Sequence, residues 1–319
     1  MSLVSIFGAM MRLAAPTLLV ALGGMFCLKI ELFNLGLEGF MLLGSFSAIA
    51  GTYLSGSILV GLLAALATGA LFMLIYGFFS LELGVDPVVG GIAVVSIAAG
   101  FTRFLLPAMF GHTGRLELFS SVVLKTYSVP LLKDIPIFGG MFTNNSLIVY
   151  FAMLCPFLLR YLFYRTPYGL ALRATGASDE VAAASGVNIR HVKYIALLLA
   201  GLLCGLGGAQ LSLAANMFNV GMSNGRGYTA IAALILSKSR PIPTFFACLL
   251  FGAAEALVIN LSGEGTPAQF LSMLPYVLAI AVAVQPKVFI AARHRVRLHH
   301  FNQSHNFTGS SDINTANDG

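Results

Sequence analysis

The chain has 319 residues, of which 58% are hydrophobic and only 9% charged, and its mean hydropathy is +0.88. An ordinary soluble domain carries about 25% charged residues, so the composition excludes a soluble globular protein and makes a lipid bilayer the solvent. The net charge of +6 and pI near 9.3 would suggest nucleic acid in a soluble protein; here Lys and Arg gather beside apolar runs and report orientation, so nucleic-acid binding is set aside.

A crossing helix needs about 20 predominantly apolar residues. In chain order the candidates are 13–28, 35–53, 58–79, 88–106, 147–164, 192–214, 227–236, 244–260 and 268–284. The seventh is too short to cross alone and reads as a half-helix, part of a broken span, or a re-entrant segment. The first run lacks a small-residue cleavage site and flows into further spans, so it is expected to be retained. The fold expected is all-α, a polytopic transmembrane helical bundle of about 8–10 spans. Cys27, Cys155, Cys204 and Cys248 all fall inside apolar segments without metal-ligand spacing and read as small packing residues.

Residues 1–285 form the expected membrane domain. Arg165, Arg173 and Arg190 place the polar stretch 165–191 in the cytoplasm, and Lys287, Arg293, Arg295 and Arg297 do the same for the tail. Nine crossings then put the N-terminus outside and the loop 107–146 on the outer face. That loop carries Arg115, Lys125 and Lys133 beside Glu117 and Asp134, which weakens the charge asymmetry without reversing it. The tail 286–319 is basic, then polar from His299, and is expected to be disordered.

Two apolar runs are interrupted alike. Phe33-Asn34-Leu35-Gly36-Leu37 and Phe218-Asn219-Val220-Gly221-Met222 share Phe, Asn and Gly in register. In hydrocarbon an unsatisfied backbone polar group costs several kcal/mol, so such a break persists only where it lines a cavity or a water-filled path. Under the nine-span count Asn34 lies near the inner face and Asn219 near the outer, which makes the two halves an inverted repeat with broken helices. Asn34 and Asn219 offer donors and acceptors to a polar solute, and Phe33, Phe218 and Tyr228 could stack a flat ring. The competing reading is that each Asn caps a half-helix and each Phe packs against a neighbour. Glu38 and Glu255 are intramembrane carboxylates, by default functional; against that stand solvation of Glu38 at the inner interface and a protonated or hydrogen-bonded Glu255. Gly36, Gly39, Gly44, Gly205, Gly207 and Gly208 read as points of close helix approach.

In the polar stretch, Ser178 can cap a short helix, Asp179 and Glu180 suit its positive first turn, and Gly186 can end it in a left-handed conformation. No Gly-Lys dipeptide occurs, so a Walker A phosphate loop is absent. His112 and His191 stand alone and His299 and His300 lie in the tail, so no metal site and no cofactor is expected. Energy has to come from a partner or an ion gradient.

Three blocks carry a family resemblance. Leu32 through Gly44, with its Asn-Xaa-Gly-Xaa-Glu-Gly core, resembles the signature of permease subunits of ATP-binding-cassette importers, in the branch of branched-chain amino acid, ribose and nucleoside permeases. Thr166-Pro167-Tyr168-Gly169 with Leu172-Arg173-Ala174-Thr175-Gly176, Ala182-Ala183, Ser185-Gly186-Val187 and Lys193 resembles their central cytoplasmic loop. Gly225-Arg226-Gly227-Tyr228-Thr229-Ala230-Ile231-Ala232-Ala233, with Leu249-Leu250-Phe251-Gly252, resembles their second-half signature. The likeness covers about 13–285 and is nearest to the simple sugar and nucleoside permeases. Asp179-Glu180 replaces a frequent Asn-Pro and Ser237 a Gly, departures that touch the ATPase contact and the short second-half segment.

The resemblance implies a transport subunit, not an enzyme, in a bacterial plasma or inner membrane. It also implies two cytoplasmic ATPase subunits, a second permease of the same or a homologous chain, and an extracytoplasmic solute-binding protein. Arg173, Gly176, Ser178, Asp179, Glu180, Ala183 and Gly186 would form the coupling loop that docks in the ATPase. The leading substrate is a nucleoside, followed by a simple sugar and then a flat vitamin such as riboflavin. The rival classes are a proton-coupled secondary transporter using Glu38 or Glu255, and a membrane scaffold that transports nothing.

Overall fold

The computed structural model describes residues 3–111, 113–118, 123–127 and 145–261, all within the first of two compact units, Met1–Pro275 and Tyr276–Gly319. The expected span 268–284, the tail 286–319, His112, and Lys133 and Asp134 of the outer loop lie outside the described residues.

Among the described residues ten helices and four short strands follow one another: α1 (Leu3–Lys29), α2 (Leu37–Ser55), α3 (Ile58–Leu81), α4 (Pro87–Phe110), β1 (Arg115–Glu117), β2 (Thr126–Tyr127), β3 (Asn145–Ser146), α5 (Leu147–Arg165), α6 (Pro167–Thr175), α7 (Asp179–Ala184), α8 (Ile189–Ala215), β4 (Met217–Asn219), α9 (Arg226–Leu236) and α10 (Pro241–Leu261). Among the described residues seven helices are long and apolar enough to cross a bilayer, and α9 is a shorter apolar helix. The strands qualify the all-α expectation only locally, since β1 pairs antiparallel with β4 and β2 with β3.

Local sequence sets many of the ends. Asp86 caps α4 by accepting from the Val88 and Val89 N–H groups, with Pro87 in the first turn where a missing N–H costs nothing. Asn188 caps α8 through the His191 N–H, and Asn216 closes it in a left-handed conformation.

The interior is built on α1, α2 and α8. In α1 and α2, 83% and 78% of the apolar window is buried, against 22% and 17% in α3 and α4. Close approach is possible because α8 presents glycines. A Cβ on Gly205 would stand 2.3 Å from the Ala65 carbonyl oxygen of α3, and one on Gly208 2.3 Å from the Met41 oxygen of α2. With no hydrophobic drive between helices in lipid, such backbone-to-backbone packing holds the bundle.

The contacts fix relative directions. Pro16 meets Gly207 and Gly23 meets Ala200, so α8 runs antiparallel to α1; Gly69 meets Gly201 and Gly77 meets Leu197, so it also runs antiparallel to α3. Five long helices precede α8, which inverts the second half. Each half opens with a 27-residue helix, breaks, and resumes. The breaks occupy 30–36 and 216–225.

Candidate functional site

The first break begins where α1 ends. Ile30 and Leu32 donate back to the Cys27 carbonyl, Glu31 turns with φ 62°, and the chain re-enters as α2 at Leu37. Asn34 is buried. Its Oδ1 accepts the Gly36 N–H at 2.7 Å, and its Nδ2 faces the sulfurs of Cys27 (3.8 Å) and Met73 (3.6 Å). Met73 lies eight residues from the Leu81 end of α3, about 12 Å at 1.5 Å per residue. From the end of α1 the break therefore dips into the bundle. Gly91 of α4 forms its wall, with room for no side chain: a Cβ there would meet the Gly36 nitrogen at 2.7 Å. Phe33 stays 37% exposed.

The second break is held differently. After Asn216, β4 lies along β1 with Asn219 opposite Arg115, Phe218 opposite Leu116 and Met217 opposite Glu117. Phe218 is fully buried and meets Phe46 of α2 edge-on at 5.3 Å. Asn219 is half-buried, with its Nδ2 3.7 Å from the Met217 sulfur. Gly221, Asn224 and Gly225, all at positive φ, turn the chain into α9. Tyr228, in the first turn of α9, is 46% exposed.

The two breaks meet at Glu38. The cap position of α9 is Gly225, which has no side chain to accept the free N–H groups of the first turn. Glu38 of α2 supplies the missing acceptor: Oε1 takes the Gly225 N–H at 2.9 Å and Oε2 the Gly227 N–H at 2.6 Å. A carboxylate at the positive end of a helix is also electrostatically favoured. The fit leaves no slack, since a Cβ on Gly227 would stand 2.4 Å from the Glu38 Cα and nitrogen. Glu38 is 7% exposed and hydrogen-bonded, which overturns solvation at the inner interface.

Glu255 of α10 forms a charged hydrogen bond with Arg226, the first residue of α9. Both intramembrane carboxylates thus converge on one helical turn. Reading the sequence missed Arg226 as a partner. Its place directly before the seventh apolar segment, where a cation is costly, would have drawn attention to it.

The segment between α5 and α8 folds as a capped pair of short helices. Thr166 caps α6 through the Gly169 N–H, with Pro167 in the first turn. Arg173 lies 5.1 Å above the Tyr164 ring, and its Nε donates to the Gly169 carbonyl. Tyr168 donates to the Val192 carbonyl at 3.3 Å, and burial pushes its phenol up to about 12. Ser178 caps α7 through the Val181 N–H. At the other end Gly186 (φ 80°) donates to Ala183 and Val187 to Ala182, a Schellman closure.

This pair is mounted rigidly on the bundle. Gly176 packs so tightly on the end of α1 that a Cβ would stand 2.0 Å from the Lys29 carbonyl oxygen. Asp179 pairs with Lys193 of α8 at 2.5 Å. Glu180, Val181, Ala183 and Ala184 face outward, Val181 with 66% of its surface exposed.

Residues 6–283 match the family described as the permease component of the branched-chain amino acid transport system. The chain is 34% identical over 282 residues to the guanosine ABC transporter permease protein NupQ of Bacillus subtilis (strain 168), covering 84% of this chain and 87% of that one. It is 31% identical over 285 residues to the nucleoside ABC transporter permease protein NupC of Lactococcus lactis subsp. cremoris (strain MG1363), covering 86% and 89%. Among solved structures it is similar to an ABC transporter assigned to the metal-chelate type, in an inward-facing conformation. The TM-score is 0.51 with 14% identity over 87% of this chain and 84% of that one, a likeness that speaks to the fold alone.

Proposed function

The chain belongs to the family of permease components of the branched-chain amino acid transport system, and from that premise we propose that it is the membrane-spanning subunit of an ABC importer carrying a nucleoside into the cell. The observation that carries this reading is the mount of α7, a capped helix with an exposed small and apolar face, fastened to the ends of α1 and α8. No Gly-Lys dipeptide occurs in the chain to open a phosphate-binding loop. Two cytoplasmic ATPases, a second permease of the same or a homologous chain, and an extracytoplasmic binding protein complete the machine, in a bacterial plasma or inner membrane. Similarity to guanosine and nucleoside permeases over more than four-fifths of each chain supports a nucleoside ahead of a simple sugar or riboflavin.

The proposed stroke follows contacts already described. Nucleotide closure pulls α7, Gly176 bears on the Lys29 carbonyl at the end of α1, and the 30–36 break moves with it. Glu38 passes the displacement to α9. In this scheme Phe33 and Tyr228 stack the base, while Asn34, Glu38, Phe218 and Asn219 hold the shape of the path. Both carboxylates are already engaged, Glu38 by backbone N–H groups and Glu255 by Arg226. This favours ATP as the energy source over proton coupling.

Purified gently from native membranes, the chain is expected to bring an ATPase with it, and Val181→Asp to release that ATPase. Vesicles holding the complex should take up labelled guanosine when ATP is supplied and continue to do so with a protonophore present. Uptake that collapses with the proton gradient and ignores the ATPase overturns the reading.

A further inference from the structure

A cavity of about 780 Å³ opens between the end of α5 and the start of α10, lined by no residue of either break. Arg160, Arg165 and Arg240 line it, with aromatic and apolar walls from Phe157, Tyr161 and Ile242. Among the described residues none of the three arginines has an acidic partner: the ion pairs lie at Arg115, Arg190, Lys193 and Arg226. Lys29 and Arg173 add to the excess, since Lys29 stands close enough to Arg173 and Arg240 for mutual repulsion. Guanidinium groups gathered around one cavity call for an anion with several acceptor oxygens.

A second observation gives the anion an apolar extension. On α5, Phe151, Leu154, Leu158 and Tyr161 are all exposed at spacings of three and four residues, forming one helix face that runs into the cavity. Phe157 closes the inner wall against Phe245 of α10, ring centroids 6.1 Å apart. Arg165 is the last residue of α5 and Pro241 the first of α10, so the cavity lies at the level of lipid headgroups. The apolar face continues along the span at the level of acyl chains.

We propose that this cavity binds an anionic phospholipid, its phosphodiester among Arg160, Arg165 and Arg240 and one acyl chain along the exposed face of α5. Basic pockets between membrane helices take anionic headgroups in this way. The bound lipid neutralises an arginine cluster that otherwise repels itself, and it bridges α5 to α10 beside the mount of α6.

The chain has no tryptophan, so Phe157→Trp places a single fluorescent reporter in the cavity. The full chain, separated from the subunits that accompany it, is reconstituted in phosphatidylcholine containing a minor share of brominated lipid. Brominated phosphatidylglycerol is expected to quench the reporter at least about fivefold more effectively than brominated phosphatidylcholine, the effect of one basic residue at a membrane surface. Replacing all three arginines by Gln removes the preference, and a Leu59→Trp reporter, exposed at the start of α3, shows none. Equal quenching by the two lipids at Phe157→Trp, or a preference that survives the triple Gln variant, overturns the proposal.

Displacement of the brominated lipid by inorganic phosphate also overturns it, in favour of a soluble anion. Native mass spectrometry of the chain without a reporter gives an independent reading. A phosphatidylglycerol adduct should be retained by the wild type and lost with the three Gln substitutions. Neither readout needs uptake or ATP, so a failed transport assay and a failed lipid assay remain separable.

Discussion

Glu38 supplies from another helix the cap that Gly225 cannot give α9. Glu38→Ala leaves the buried Gly227 N–H and the part-buried Gly225 N–H without a partner, a loss of about 3 kcal/mol at 1–3 kcal/mol for a buried unsatisfied group and less for the other. Glu38→Gln keeps one acceptor oxygen and should cost roughly half as much. Thermal unfolding of the purified chain measures both; an unchanged midpoint for Glu38→Ala would mean that water caps α9 equally well. The carboxylate was conspicuous in the sequence because charge is rare in an apolar run. Its partners were hidden because they are backbone groups nearly 190 residues away, and a backbone N–H has no signature in a residue string. The Asn34 side chain illustrates the converse: donor and acceptor capacity was legible, but only coordinates reveal its engagement within its own turn.

At the scale of elements, α7 is short enough that its ends decide its existence. Six residues make about one and a half turns, below any length at which a helix persists alone, so Ser178, Gly186 and the Asp179–Lys193 pair must hold it. Ser178→Ala should cost about 1 kcal/mol of local stability. The expected result in the reconstituted importer is more ATP hydrolysed per nucleoside moved, with ATPase turnover itself preserved. An unchanged ratio would show that the ATPase orders α7 regardless of its cap. The long helices could be read from the sequence to within a few residues because twenty apolar positions in a row leave few alternatives. An exception is α1, which starts at Leu3 instead of 13, since Arg12 interrupts hydropathy without interrupting helix geometry. Strands β1 and β4 were illegible, as three residues carry no usable period and pair with a partner roughly a hundred residues away.

For the whole molecule, inversion of the halves leaves the two breaks with unequal support. The 216–225 break is clasped by β1, with Leu116 and Phe218 buried beneath it, whereas the 30–36 break leans on Gly91 and sits beside the mount of α6. The clasped break is therefore expected to act as the pivot. Cysteines introduced at Glu117 and Met217, opposite each other in the pairing, should cross-link and leave nucleoside uptake largely intact; complete block would assign the moving part to the clasp instead. The native cysteines are all buried and should not interfere. Duplication and its sense were visible in the sequence, through the repeated Phe-Asn-Xaa-Gly and the charge bias. The unequal fastening was not, because it depends on a loop outside the repeat.

The clasp also has a consequence during synthesis. β1 leaves the ribosome 104 residues before its partner, the separation of Arg115 from Asn219, a wait on the order of 10 s at 5–20 residues per second. Throughout that interval the first half sits in the membrane with an unpaired strand edge, so the nascent chain is most exposed to mispairing and proteolysis before the second half arrives to finish it.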